Sequence, residues 1–240
     1  MSILLVSGTG TEIGKTAVTA AVATLAVERG SSVAVVKPAQ TGVLPGEPGD
    51  LAEVARLAPG VETYEFARYP DPLSPEAAAR RVGVDGLALD DVARRIGTLA
   101  GEHDLVLVEG AGGLLVRYAS DGWTFADLGR TLDAPVLVVT TAGLGTLNHT
   151  ALTLEVLAGR GVRFGGLVVG SWPAEPDLAV RCNVADLQVV AGRPLGGALG
   201  QGAPSAPDFR SAARHGLGPA YGGKFDAADF ALAQTEGVQQ

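Results

Sequence analysis

The stretch Gly8-Thr9-Gly10-Thr11-Glu12-Ile13-Gly14-Lys15-Thr16 constrains this chain more than any other. An apolar run, Ile3-Leu4-Leu5-Val6, precedes it, and an Ala/Val-rich segment, Ala17 to Glu28, follows. Strand, glycine loop and helix, in that order, are the context of a phosphate-binding P-loop. Glycines let the backbone curl until successive N–H groups point inward around phosphate oxygens. The helix N-terminus adds partial positive charge. Lys15 is placed to reach the outer phosphates, and the Thr16 hydroxyl to ligate magnesium. The spacing departs from the common pattern, which has four residues between its first glycine and Gly-Lys. Here Thr9 holds that position, and the glycine stands one step earlier, at Gly8.

Downstream, apolar strands alternate with helical patterns. The first helix is expected from Lys15 to about Arg29, stopping at Gly30. Buried strands are expected over 32–37, 105–108, 135–140 and 164–169, with a short last one over 194–199. Helices are expected from Asp50, from Ser74-Pro75 through Val82, and over 89–100, 125–132, 178–190 and from Gly145 to about Leu157. Leu114 to Val116 reads as a strand extension or a turn. Prolines 70, 72 and 75 leave 61–72 without a readable element. Beyond Gln201 the periodicity fades, with weak helical patterns over 208–214 and 227–233, and 236–240 is expected to be mobile. The pattern implies a single-domain α/β chain over 1–240, a P-loop NTPase-type three-layer fold with a mainly parallel sheet. About 202–240 forms a poorly defined tail. Ligands of such sheets sit at the carboxyl ends of the strands, where each polar motif here falls.

At 240 residues and 47% hydrophobic, the chain has enough apolar content for a large core. A net charge of −8 argues against a nucleic-acid surface. The sole cysteine, Cys182, excludes an intramolecular disulfide and a multi-cysteine metal site, and it reads as structural. Met1-Ser2 leads straight into a strand without a basic leader, and no apolar run reaches the roughly 18 residues of a membrane span. A cytoplasmic protein with no membrane partner is the expectation.

Lys37 ends the second strand, in Lys37-Pro38-Ala39-Gln40-Thr41-Gly42. A lysine there can simply snorkel to water. This strand is expected to neighbour the P-loop strand, which would aim its end, Lys37, into the same crevice; Thr41, four residues on, either contacts a ligand there or is an ordinary turn threonine. Glu109 follows Leu105-Val106-Leu107-Val108 and opens Glu109-Gly110-Ala111-Gly112-Gly113. A carboxylate so placed resembles the second acidic motif of P-loop enzymes and can bind magnesium. Asp50 reads first as a helix N-cap, and Asp127 as a surface helix residue. Gly145-Thr146-Leu147-Asn148-His149 enters a helix whose free N–H groups suit a carboxylate, or is a simple capped start. His103 and His149 have no partners at metal-ligand spacing.

Taken in order, the P-loop with its Glu12, the Lys37–Gly42 motif, Ser74-Pro75, the Glu109–Gly113 motif and Gly145–His149 resemble the dethiobiotin synthetases of biotin synthesis. The resemblance covers about 1–200. It implies that CO2 adds to one amine of 7,8-diaminopelargonate, that ATP phosphorylates the resulting carbamate, and that the second amine closes the ring. It further implies that Thr16, Asp50 and Glu109 hold Mg2+, and that Lys15 and Lys37 are the catalytic cations. Nucleotide contacts would come from Glu12, Ile13, Gly14, Lys15, Thr16, Ala17, Asp50, Glu109, Gly110, Ala111, Gly112, Gly170, Ser171, Leu199, Gly200 and Gln201. Substrate contacts would come from Glu12, Thr41, Ser74 and Gly145, Thr146, Leu147 and Asn148, the last four in a homodimer whose partner completes the site.

Two places depart from the family. Gly170-Ser171 stands where many members carry Asn-Asp, and Leu199-Gly200-Gln201 where many carry a proline followed by an aromatic. Backbone would then hold the base, with looser nucleotide selection. Two rivals share the fold type. Amidotransferases of the cobyric acid group need a glutaminase domain, for which this chain has no room. Switch ATPases of the partitioning or septum-positioning type place a lysine five residues before the P-loop lysine, where this chain has Gly10.

Overall fold

A computed structural model describes residues 2–236. The first half runs β1 (Ser2–Gly8), α1 (Lys15–Glu28), β2 (Val33–Lys37), β3 (Gln40–Thr41), α2 (Asp50–Leu57), β4 (Glu62–Glu65), β5 (Arg68–Tyr69), α3 (Pro75–Arg81), α4 (Leu89–Glu102) and β6 (Leu105–Gly113). The second half runs α5 (Phe125–Thr131), β7 (Val136–Thr140), α6 (Thr146–Gly159), β8 (Phe164–Trp172), α7 (Leu178–Ala191), β9 (Gly197–Gly200), α8 (Phe209–Gly216) and α9 (Ala227–Glu236). Short 3-10 turns cover Ala203–Ser205 and Pro219–Tyr221. The expected mobile end, beyond Glu236, lies outside the described residues.

Seven strands form one sheet in the order β4-β2-β6-β1-β7-β8-β9, every pair parallel. Parallel strands covered on both faces read as continuous apolar runs, which is why the central strands were legible. Along β1, Leu5 joins the core on one face and Val6 the core on the other. Helices α1, α2 and α8 cover the Val6 face, and α4, α5 and α7 the Leu5 face, which makes three layers. Helix α1 is buried at nearly every position from Lys15 to Ala26, so it has no polar stripe.

The sheet corrects one expectation. β2 does not pair with β1: β6 lies between them. Lys37 still reaches the P-loop crevice, because Glu109 on β6 bridges the gap. The register of β1 and β6 shifts between Val6↔Glu109 and Gly8↔Gly113, an irregularity where β6 carries two extra residues. Such a bulge re-aims the chain at a strand end, and the Gly-Ala-Gly-Gly sequence permits it.

Other local expectations change. β4 and β5 occupy the stretch that the prolines obscured; β4 pairs with β2 as an edge strand. Leu114–Val116 is a turn. β8 runs on through Gly170 and Ser171 to Trp172 instead of stopping at Val169. Beyond Gly202 the chain is built against the core: α8 packs on α1 and β9, while Phe230 of α9 sits edge-on to Trp172 with ring centres 4.8 Å apart. Cys182 is exposed on α7, so it has no core role. Asp127 is a capping residue: its carboxylate accepts from the Thr124 N–H at 2.8 Å and the Thr124 hydroxyl at 2.7 Å, and Arg160 pairs with it.

Candidate active site at the carboxyl edge of the sheet

Three charged side chains and one hydroxyl meet where β2 ends, beside Glu109 of β6. The Lys37 ammonium lies 2.6 Å from Asp50 Oδ2 and 2.8 Å from Glu109 Oε1. The Thr16 hydroxyl, in the first turn of α1, donates to that same Glu109 oxygen at 2.9 Å. Lys37 also donates to the Gly110 carbonyl at 3.3 Å. The side chains of Lys37 and Glu109 are 4% and 1% exposed, that of Asp50 37%.

A lysine so buried would ordinarily lose its proton. Burial does pull the Lys37 pKa down, but Glu109 and Asp50 outweigh it and hold the ammonium well above the usual lysine range. The second Glu109 oxygen, Oε2, is buried and without a hydrogen-bond partner. Asp50 is the first residue of α2 and not its cap, which is Gly49. The N-cap reading of Asp50 therefore fails, and its carboxylate is free to face Lys37.

Lys15 folds back over the P-loop and donates to the Gly10 carbonyl at 2.7 Å. Burial, then repulsion from Lys37, lowers its pKa to about 8. The loop turns through two left-handed residues, Glu12 at φ 56° and Gly14 at φ 94°. Gly14 stands against Gly170 of β8, so closely that a Cβ on Gly170 would collide with the Ile13 carbonyl oxygen. Across the crevice, the Ala111 N–H donates to the Tyr118 hydroxyl at 2.7 Å. Burial pushes that phenol up to about 12, so it stays protonated at any working pH.

These groups line one cavity of about 910 Å³. It brings together Glu12, Ile13, Gly14, Lys15, Thr16, Lys37, Thr41, Asp50, Ser74, Glu109, Ala111 and Gly112. Gly110 contributes its carbonyl to Lys37, and Ala17 is buried in α1 just behind the loop. Sequence reasoning missed the apolar wall, made by Ala39, Pro72, Leu73, Pro75 and Val116. They come from three segments, around Ala39, Pro72–Pro75 and Val116, and no spacing connects those segments.

Other expected residues lie elsewhere. Gly200 and Gln201 border a second hollow of about 350 Å³, beside Ala212 and His215 of α8. The Leu199 side chain is wholly buried in the core, which leaves only its backbone for a ligand. Ser171 is exposed at the end of β8. Gly145 to Asn148 do not line the main cavity. Thr146 is buried and donates to the Thr141 carbonyl at 2.7 Å, while Gly145 and Asn148 face outward.

A strand–P-loop–helix unit, a buried lysine between carboxylates and a deep cavity define a P-loop enzyme that handles nucleotide phosphates. Comparisons agree. A family profile described as an AAA domain matches residues 2–205. ATP-dependent dethiobiotin synthetase BioD of Frankia casuarinae is 60% identical over 232 residues, covering 96% of this chain and 98% of that protein. The proteins of that name from Streptomyces coelicolor and Rhodococcus erythropolis are each 57% identical, covering 96% and 91% of this chain and 98% and 97% of their own. The chain belongs to the ATP-dependent dethiobiotin synthetase family. Among solved structures, a ParA family ATPase from Chlorobium tepidum aligns with TM-score 0.55 at 15% identity, covering 100% of this chain and 99% of its own. The MinC:MinD complex of Aquifex aeolicus aligns with TM-score 0.56 at 11% identity, over 100% and 96%. Likenesses at such low identity show the shared fold alone.

Proposed function

We propose that this chain makes dethiobiotin from 7,8-diaminopelargonate, CO2 and ATP. The observation that carries the reading is the buried Lys37 between Asp50 and Glu109, facing the P-loop across one cavity. A carbamate formed on one amine attacks the γ-phosphorus of ATP, and ADP leaves. The second amine then attacks the carbamate carbon, phosphate departs, and the ring closes. Both steps build negative charge on phosphoryl and carbamate oxygens. Lys37 and Lys15 are the two cations placed to meet that charge. The apolar wall gives the alkyl chain of the diamine a dry surface. Thr41, Ser74 and Glu12 offer polar contacts at the rim.

The donor set fits Mg2+. Thr16, Asp50 and Glu109 present hard oxygens, and the unpartnered Glu109 Oε2 is a buried acceptor that a cation would satisfy. When bound, magnesium would offset phosphate charge beside these residues. The remainder of the work is positioning, so geometry governs the rate.

The homodimer is part of this reading. Leu144 and Leu152 are 91% and 59% exposed at the start and along the outer face of α6. An apolar face there suits a second copy, whose Gly145–Asn148 helix start would meet the substrate carboxylate. Leu152→Glu is expected to convert a dimer to a monomer in sedimentation. A variant that sediments as the wild type would remove this part.

The direct assay mixes the protein with Mg2+, ATP, labelled bicarbonate and 7,8-diaminopelargonate. Acid-stable label that requires both ATP and diamine is the expected result. A folded, nucleotide-binding protein that forms no stable label would overturn the proposal.

A further inference from the structure

Helix α2 carries Asp50 at its first position, yet no side chain of its own caps it. The cap comes from another strand. Gln40 on β3 is 4% exposed, and its Oε1 accepts the Asp50 backbone N–H at 2.9 Å. Its Nε2 donates to the Thr41 carbonyl at 3.2 Å, which fixes which way the amide faces. A buried amide with both ends engaged is a rigid support.

Its surroundings reinforce it. Gln40 pairs in register with Arg68 on β5. Arg68 forks onto Glu65 at 2.7 and 2.8 Å, and it also donates to the Glu47 carbonyl at 2.6 Å, gripping the loop that leads into α2. Gly49 packs directly against the Gln40 amide. A Cβ there would stand 2.8 Å from Gln40 Oε1 and 3.2 Å from an Arg68 nitrogen. Lys37 and Gln40 are three residues apart on one short segment. That segment therefore holds Asp50 twice: Lys37 grips the carboxylate and Gln40 the backbone.

We infer that Gln40 is a positioning residue that sets the Asp50 carboxylate where magnesium and the nucleotide meet. The inference rests on the reading of Asp50 as a metal ligand. Outer supports of metal ligands commonly change metal affinity by about 10–100-fold when removed.

The test is binding of a non-hydrolysable ATP analogue by calorimetry, with Mg2+ and with EDTA. The quantity read is the gain in affinity that Mg2+ confers. In Gln40→Met that gain is expected to fall about ten-fold, with the EDTA affinity unchanged. Gly49→Ala, which pushes on the same amide from outside, is expected to reproduce the loss and serves if Gln40→Met does not fold. A wild-type gain in both Gln40→Met and Gly49→Ala would overturn the inference. So would equal losses with Mg2+ and with EDTA, the mark of general loosening. Asp50→Asn separates the two levels. If it abolishes the gain while the Gln40 and Gly49 variants keep it, only the role of Gln40 fails. If it leaves the gain intact, the reading of Asp50 fails and the inference falls with it.

Discussion

The two ends of the sheet's carboxyl edge are built from different materials. Around β1, β2 and β6, Lys15, Lys37, Asp50, Glu109 and the Thr16 hydroxyl interlock, and the Lys37–Glu109 pair is almost fully buried. Around β8 and β9 the edge is Gly170, Ser171, Gly200 and Gln201, which present mostly backbone and small side chains. Phosphate chemistry needs charge that is desolvated and held in place before the reaction. Such charge is stable in a core only when each group has an opposite partner. A planar base, if it lies at the second end as proposed for Gly170–Ser171 and Leu199–Gln201, needs none of this. One end is therefore over-determined, and the other leaves room for variation.

The strongest way to break this contrast is Lys37→Met. Ring-forming turnover should fall about 10²–10³-fold, while binding of a non-hydrolysable nucleotide persists. Incorporation of labelled bicarbonate measures the first and calorimetry the second. A loss under ten-fold would mean that the charged cluster is not where the chemistry happens.

A pair of glycine variants sharpens the comparison at its boundary. Gly170→Ala drives a methyl group into the Ile13 carbonyl oxygen and must shift the P-loop. Nucleotide affinity is expected to fall by about one to two orders of magnitude. Gly200→Ala has no heavy atom within 4 Å of the new carbon and should stay within about two-fold. Equal effects would show that contact with the P-loop does not set what the β8–β9 end tolerates.

Asp127 supplies the smallest expected effect and a control. It is a carboxylate with a purely structural post. Desolvation pushes its pKa up, but the Thr124 hydroxyl and N–H and the nearby Arg160 outweigh that and leave it below the ordinary 3.8. A carboxyl depressed on folding stabilises the protein above its unfolded pKa, and the benefit disappears as pH falls through the folded value. Asp127→Ala should thus cost about 1 kcal/mol at pH 7 in denaturant unfolding. The gap from wild type should close below about pH 4. A gap that is independent of pH would assign the cost to packing instead of charge.

Much of this architecture was legible because its signals are local. The central strands are apolar without interruption, and the P-loop, Lys37 and Glu109 each follow one of them directly. What escaped was set by tertiary contact. β4 reads Glu62-Thr63-Tyr64-Glu65, a polar edge strand with half-exposed faces, so no apolar run marks it. Asp50 turned out not to cap its helix and Asp127 to cap its own, because capping depends on which neighbour supplies the acceptor: Gln40 for the first helix, Asp127 itself for the second. Gln40 stood within a motif already visible, but nothing in its spacing shows that its amide turns back toward Asp50. β2 reached the crevice without touching β1, a detail of strand order that apolar runs do not encode.

If the charged cluster serves phosphoryl transfer to a small substrate, ATP should be consumed only when that substrate is present. Phosphate release from MgATP, measured with and without 7,8-diaminopelargonate in the presence of bicarbonate, tests it most directly. Release that requires the diamine, by about a hundred-fold or more, and matches dethiobiotin formed mole for mole is the predicted result. Rapid release indifferent to the diamine, and raised by DNA or lipid vesicles, would contradict it and identify the cluster as the engine of a switch ATPase.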